Sequence, residues 1–234
     1  MDVKIVLDFD GVLFNSAFEA FTVANLAVAG REEFRQDVTY EEFLAFRAFV
    51  TDAWHYNRLY SRAHALPGSS IRDFKAQEMD WAFARDFFEA RKQIMADPQW
   101  PKVMPPYDFF FLLKPFLIER PEHFAILSTR NVQSIRETLA FYGADVVEVF
   151  GQEDIRSRGS KLDVAKAQHW LDPGKYLVVY VDDMNSHLEP FEGQIHLPLH
   201  ADWGYDKGTP GSLSANQIQT IICSLLTMAS KDSR

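Results

Sequence analysis

Cysteine is almost absent from this chain: its 234 residues include one, Cys223. A single thiol closes no internal disulfide and builds no multi-cysteine zinc site, so neither device underlies the fold. Long hydrophobic runs are lacking too. The richest stretch, Phe109 to Ile118, is interrupted by Lys114 and Pro115 and falls short of the roughly 20 apolar residues a membrane helix needs. The first residues, Met1 to Lys4, carry no basic segment followed by an apolar one. A secretory leader is therefore not expected, and the expected compartment is the cytoplasm. Positive charge is in deficit, with 24 Lys and Arg against 33 Asp and Glu and a net charge of -9. An acidic surface repels polyanions, which argues against a nucleic-acid-binding module. It leaves room for a small phosphorylated metabolite, because a metal ion and a few local cations can reverse the field inside one pocket. Repeats and low-complexity segments are also missing.

What is present is enough apolar material for a real core. Hydrophobic residues make up 47% of the chain, and 20 of them are Phe, so a core domain carrying a smaller one is within reach at this length. Val3 to Leu7 (VKIVL) is a short β-branched run whose near-continuous apolarity suits a strand buried on both faces. From Ser16 to about residue 103 the pattern changes to helical spacing, as in Phe43/Phe46/Val50/Ala53/Trp54 and Trp81/Arg85/Phe88. This region reads as an all-helical insertion of four or five helices, with Pro67-Gly68-Ser69-Ser70 as its clearest break. Beyond it, strands and helices alternate. Tyr107 to Ile118 reads as a helix that Pro115 kinks or ends, Phe124 to Leu127 (FAIL) as a strand, and Val132 to Tyr142 as a helix stopped by Gly143. Val146 to Phe150 is the next strand, Ser160 to Leu171 a helix, Tyr176 to Val181 (YLVVYV) a buried strand, and Gln194 to Leu197 a short one. Ser214 caps a last amphipathic helix to Met228. Such alternation predicts an α/β core with a Rossmann-like, doubly wound parallel sheet, residues 1–15 and 104–234, interrupted by the all-helical insertion, residues 16–103.

The chemistry gathers at strand ends. In Asp8-Phe9-Asp10-Gly11-Val12-Leu13, alternation on an extended backbone points Asp8 and Asp10 the same way. Two carboxylates beside an apolar run are costly unless a cation binds them, and ligands of parallel sheets collect at the carboxyl ends of strands. FAIL is followed by Ser128-Thr129-Arg130, and YLVVYV by Asp182-Asp183. Between them Gly159-Ser160-Lys161 opens a predicted helix, where a lysine can meet an anion near backbone N–H groups. Taken singly, each has a bland explanation as a cap, a turn or a solvated charge. Together and in this order they point to one site.

The order DFDGVL, ILST, GSK and VYVDD resembles the four motifs of haloacid dehalogenase-like hydrolases. Ser128 follows Asp8 by 120 residues, Lys161 follows Ser128 by 33, and Asp183 follows Lys161 by 22. In that superfamily a long first interval implies a helical cap between the first and second motifs. The resemblance implies that Asp8 is a nucleophile forming an aspartyl-phosphate and that Asp10 is the general acid and base. It further implies that Ser128, or Thr129 in its place, and Lys161 bind the phosphoryl oxygens. Mg2+ would be held by Asp8, the Asp10 carbonyl and Asp183, with Asp182 acting through water or behind these ligands. The chain departs from the family at His187, where a further carboxylate is frequent. Asp10 favours phosphoryl transfer over dehalogenation, since halide needs no proton. The expectation is a Mg2+-dependent phosphatase acting on a small phosphomonoester, the rivals being a phosphomutase and a non-catalytic binding protein.

Weaker candidates complete the set. Arg130 suits a salt bridge or a substrate contact, and Trp54 and His55 sit in an aromatic and polar stretch able to read a leaving group, although core packing is favoured for Trp54. Arg156 and Arg158 are expected as solvated loop charges. His196 and His200 flank Leu197-Pro198-Leu199 without evident partner ligands for zinc, and Cys223 is expected in the core.

Overall fold

In the computed structural model, residues 2–47, 49–50, 52–62, 77–145 and 147–232 are described, with side chains as far as 229. Pro67-Gly68-Ser69-Ser70 and Val146 lie outside them. The chain divides into two compact units, Met1–Asn15 with Pro106–Arg234, and Ser16–Pro105.

The first unit is built on five parallel strands in the order β3-β2-β1-β4-β5. They are β1 Asp2–Leu7, β2 Phe124–Leu127, β3 Glu148–Phe150, β4 Tyr176–Asp182 and β5 Leu197–His200. The two central partners of β1 run in register with it, Leu7 beside Ile126 on one side and beside Val181 on the other. From β1 the chain builds outward through β2 and β3, then returns across β1 to β4 and β5. That reversal opens a crevice at the carboxyl ends of β1 and β4, where open parallel sheets bind ligands. Alternation along the strands feeds two cores. On one face Val6, Ala125, Leu127, Val178 and Tyr180 pack with Val164, Ala165, Leu188 and Phe191. A second apolar layer comes from two helices numbered below, through Phe109, Phe110, Leu113 and Leu117 and through Ile218, Ile222 and Leu226.

The second unit contains α1 Ser16–Val28, α2 Tyr40–Arg47, α3 Tyr56–Tyr60 and α4 Glu78–Met95, with single 3-10 turns at Ala53–His55 and Trp100–Val103. Its core is aromatic, joining Phe34, Phe43, Phe46, Tyr56, Tyr60, Phe83 and Phe87. On α4 the buried positions Phe83, Ala84, Phe87 and Ala90 recur at three and four residues, as a one-sided helix requires. Described residues of this unit form no strand.

Back in the first unit, α5 is Asp108–Glu119, α6 Val132–Phe141, α7 Gln152–Arg158, α8 Lys161–Ala167, α9 Asn185–Leu188 and α10 Ala215–Asp232. Pro115 does not end α5, which runs through it. The proline sits on the exposed side, so the carbonyl it leaves unbonded meets water, while Leu113 and Leu117 hold the helix to the core. The helix expected to reach Leu171 stops at Ala167, and His169 takes a left-handed φ of 59° just beyond. The short strand expected at Gln194 to Leu197 is shifted to Leu197–His200, where Pro198 is accepted because β5 is an edge strand. Helices α7 and α9 have too few residues to show periodicity in the sequence. Cys223 is half-buried, beside the Ile218/Ile222/Leu226 stripe and not within it. No helix among the described residues is long and apolar enough to cross a membrane.

Candidate active site

Asp8 is the first residue past β1, and its N–H donates to the Val181 carbonyl at 2.9 Å, so the strand pairing itself sets its place beside the end of β4. Its Oδ1 accepts from the Phe9 N–H at 2.8 Å. Its Oδ2 lies 3.2 Å from Lys161 Nζ, in the first turn of α8. The same ammonium donates to Asp182 Oδ2 at 2.8 Å and to the Tyr180 hydroxyl at 2.9 Å. Asp182 ends β4 and is wholly buried. It also accepts from the Tyr180 hydroxyl and from the Met184 N–H, and His187 Nδ1 stands 3.1 Å from its Oδ1. Asp8, Asp182 and His187 bring ligand atoms within 4.8 Å of one another.

The charges explain the titration. Burial pushes the Asp8 carboxyl up to about 6, with Lys161 opposing and Asp182 adding to the rise. Burial would also raise Asp182, but Lys161 and His187 outweigh it and hold that carboxyl well below the usual range. Lys161 is raised because Asp182 and Asp8 overcome its desolvation. Burial, followed by the charges of Asp182 and Asp8, drives Asp183 well above an ordinary carboxylate.

Asp183 is the first residue past β4 and makes a different set of contacts from Asp182. Its Oδ2 accepts from the Tyr205 N–H at 2.6 Å, and its Oδ1 is buried without a partner among the described residues. A β-carbon placed on Gly11 or on Gly204 would fall 2.1 Å from Asp183 Oδ2. The carboxylate thus lies against two stretches of backbone that only glycine leaves open, and at Gly11 a φ of +82° imposes the same choice. Trp203 Nε1 donates to the Val12 carbonyl at 3.0 Å and ties the loop after β5 to the loop after β1.

At the end of β2, Ser128 is buried and Thr129 exposed. Arg130 is buried, and its Nε donates to Asp10 Oδ1 at 2.8 Å.

No family model and no curated protein matches the sequence. Solved structures do match the fold. A haloacid dehalogenase-like family hydrolase from Streptococcus pneumoniae superposes with a TM-score of 0.64 at 13% identity, over 94% of this chain and 98% of its own. A protein from Haemophilus somnus, described as a predicted phosphoglycolate phosphatase, gives 0.67 at 14% identity, over 94% and 98%. The CbbY protein of Rhodobacter sphaeroides, solved with xylulose-1,5-bisphosphate, gives 0.54 at 13% identity, over 91% and 92%. The fold is that of the haloacid dehalogenase-like hydrolases.

Within this haloacid dehalogenase-like fold the expected residues fall into groups. Asp8, Lys161 and Asp182 meet directly. Asp10 and Arg130 form a pair of their own. Trp54 and His55 belong to the second unit, Trp54 packed against His55 with ring centres 3.9 Å apart and against Trp81 at 6.3 Å. His55 Nδ1 accepts from the Asp52 N–H, an end-of-helix contact. Arg156 and Arg158 are exposed on α7. His196 Nδ1 accepts from the Val178 N–H, while both ring nitrogens of the buried His200 have no partner among the described residues. Sequence reasoning passed over Tyr180, His187 as an Asp182 partner, and the Trp203-Gly204-Tyr205 loop. Tyr180 carried a signal, since it shares a strand face with Asp182 two residues on; the loop carried only its glycine.

Proposed function

We propose that this chain is a phosphatase of the haloacid dehalogenase-like superfamily, hydrolysing a small phosphomonoester with Mg2+. The observation that carries the reading is Lys161 Nζ between Asp8 Oδ2 and Asp182 Oδ2, buried at the carboxyl ends of the two central strands. A nucleophilic carboxylate and an anion-binding ammonium at one strand edge are what phosphoryl transfer to Asp8 needs.

In this reading Asp8 Oδ attacks phosphorus, and the ester P–O bond breaks with its electron pair on the alcohol oxygen. That oxygen takes a proton from the Asp10 carboxyl. Water then gives a proton to Asp10 as it attacks the phosphorus of the aspartyl-phosphate, releasing orthophosphate and restoring the Asp8 carboxylate. Lys161 and Ser128, with Thr129 at the exposed side, are the groups for the phosphoryl oxygens. The residues suit Mg2+: the donors are oxygens, Asp183 Oδ1 is a buried acceptor with no partner among the described residues, and burial raises both Asp8 and Asp183, with neighbouring carboxylates adding to the rise. Asp8, the Asp10 carbonyl and Asp183 would hold the ion, with Asp182 behind them. Bound there, the cation offsets the charge that develops on the transferring phosphoryl group. Trp54 and His55 of the second unit are kept as candidate substrate contacts, and the cytoplasm is the compartment.

Phosphate release from a panel of phosphomonoesters, with Mg2+ or EDTA, tests the reading on wild type and Asp8→Asn. Release requiring both Mg2+ and Asp8 is expected, the variant losing on the order of 10⁴-fold or more while remaining folded. Appreciable turnover by folded Asp8→Asn would remove it as the nucleophile. Conversion of a sugar phosphate with no release of phosphate would point instead to a mutase.

A further inference from the structure

Asp10 has a partner that acid–base chemistry does not by itself require. Arg130 Nε donates to its Oδ1 at 2.8 Å, and the side chains are 7% and 19% exposed. The guanidinium is held in turn: Nη1 donates to Ser134 Oγ of α6 at 3.3 Å, and its carbon lies 5.9 Å from the centre of the Phe9 ring. Asp10 belongs to the loop after β1 and Arg130 to the loop after β2, so the contact clamps two strand ends together. A rigid, planar guanidinium fixes the rotation of a carboxylate, which one flexible ammonium does not.

We propose that Arg130 is a positioning residue for phosphoester cleavage, holding Asp10 by one carboxylate oxygen so that the other serves the leaving alcohol and then the attacking water. The inference rests on the phosphatase reading. Direct binding of the phosphoryl group is a poorer use of this side chain, whose fork already engages Asp10 and Ser134.

The test turns on the leaving group. An alkoxide must be protonated as it departs, whereas dinitrophenolate need not be, so a misplaced acid harms only the first. Full-length wild type, Arg130→Gln, Arg130→Lys, Asp10→Asn and the Gln/Asn double variant are compared with Mg2+ on glycerol 2-phosphate and 2,4-dinitrophenyl phosphate. Circular dichroism and Tm establish that each is folded. For Arg130→Gln, kcat/KM on glycerol 2-phosphate should fall about 100-fold, and on the dinitrophenyl ester by less than about threefold. Dinitrophenolate should appear in a stoichiometric burst, because the later hydrolysis of the aspartyl-phosphate still needs Asp10 as base. Asp10→Asn should show the same selectivity and burst, and the double variant should be no worse than Asp10→Asn. Arg130→Lys should lie between wild type and Arg130→Gln, and it carries the test if the glutamine variant does not fold. Equal losses on both esters, a missing burst, or losses that multiply in the double variant would overturn the assignment of Arg130. Wild type releasing no phosphate from either ester, or Asp10→Asn losing equally on both, would instead strike the phosphatase reading itself and this inference with it.

Discussion

Asp80 in the helical unit and Asp182 in the sheet unit are both wholly buried, yet their surroundings differ in charge balance. Around Asp80 the account closes: Arg58 Nη2 donates at 2.5 Å, Asn57 Nδ2 at 2.7 Å and the Gln77 N–H at 2.8 Å. One carboxylate meets one guanidinium, and both oxygens are bonded. The arrangement joins α3 to the start of α4. Around Asp182 it does not close. Asp8, Asp182 and Asp183 interact with one another and with Lys161, and burial, with the neighbouring negative charges adding to it, raises the carboxyls of Asp8 and Asp183. A buried ion pair in balance holds elements together, while a buried surplus of one sign marks a place where a ligand of the other sign belongs.

Breaking the balanced cluster should have the larger effect on stability. Arg58→Met leaves Asp80 buried without its cation and should lower the free energy of unfolding by about 3–5 kcal/mol in urea titrations. A loss below about 1 kcal/mol would mean that Asp80 is neutralised in some other way.

The unbalanced cluster should respond to pH and metal in the opposite sense. Asp8 titrates at about 6 in the folded protein against 3.8 for the unfolded chain. Between those values the folded state binds the extra proton, so stability falls as pH rises through the window and the penalty is complete above about 6. In EDTA, unfolding at pH 4.5 should therefore exceed that at pH 7 in free energy by on the order of 1–3 kcal/mol from this group. Mg2+ should erase the difference by favouring the ionised form. A metal-free protein more stable at pH 7 than at pH 4.5 would refute the direction.

The finest distinction concerns the backbone cradle of Asp183. Gly204→Ala forces a β-carbon onto that carboxylate and should weaken Mg2+ binding about tenfold by calorimetry, in the range seen when groups that orient metal ligands are altered. Unchanged affinity would free Gly204 from any part in holding the ion.

Much of this was legible in the residues. Strands VKIVL, FAIL and YLVVYV announced themselves by apolar, β-branched runs, and the sheet follows because such runs are buried on both faces. Asp8, Lys161 and Asp182 could be named because each stands at an element boundary that periodicity marks. Partners were harder. Nothing in the sequence joins Arg130 to Asp10, or Gly204 to Asp183, because these contacts depend on which strands lie side by side. The helix over Tyr107 to Ile118 was legible despite Pro115, but that it runs on through the proline was not, because tolerance depends on the lost hydrogen bond facing water and facing is not written locally. Trp54 and His55 read as candidate contacts from composition alone; within their own unit Trp54 packs against Trp81 and His55 accepts from the Asp52 N–H.

By itself the sequence determined the alternation of strands and helices, the helical insertion and the positions of charged residues at strand ends, since hydrophobic period and turn residues act over short distances. Only the tertiary structure decided which charges share a site, which carboxylate lacks a partner and which arginine grips Asp10. Those follow from strand order and register, through which residues 120 positions apart come within 2.8 Å.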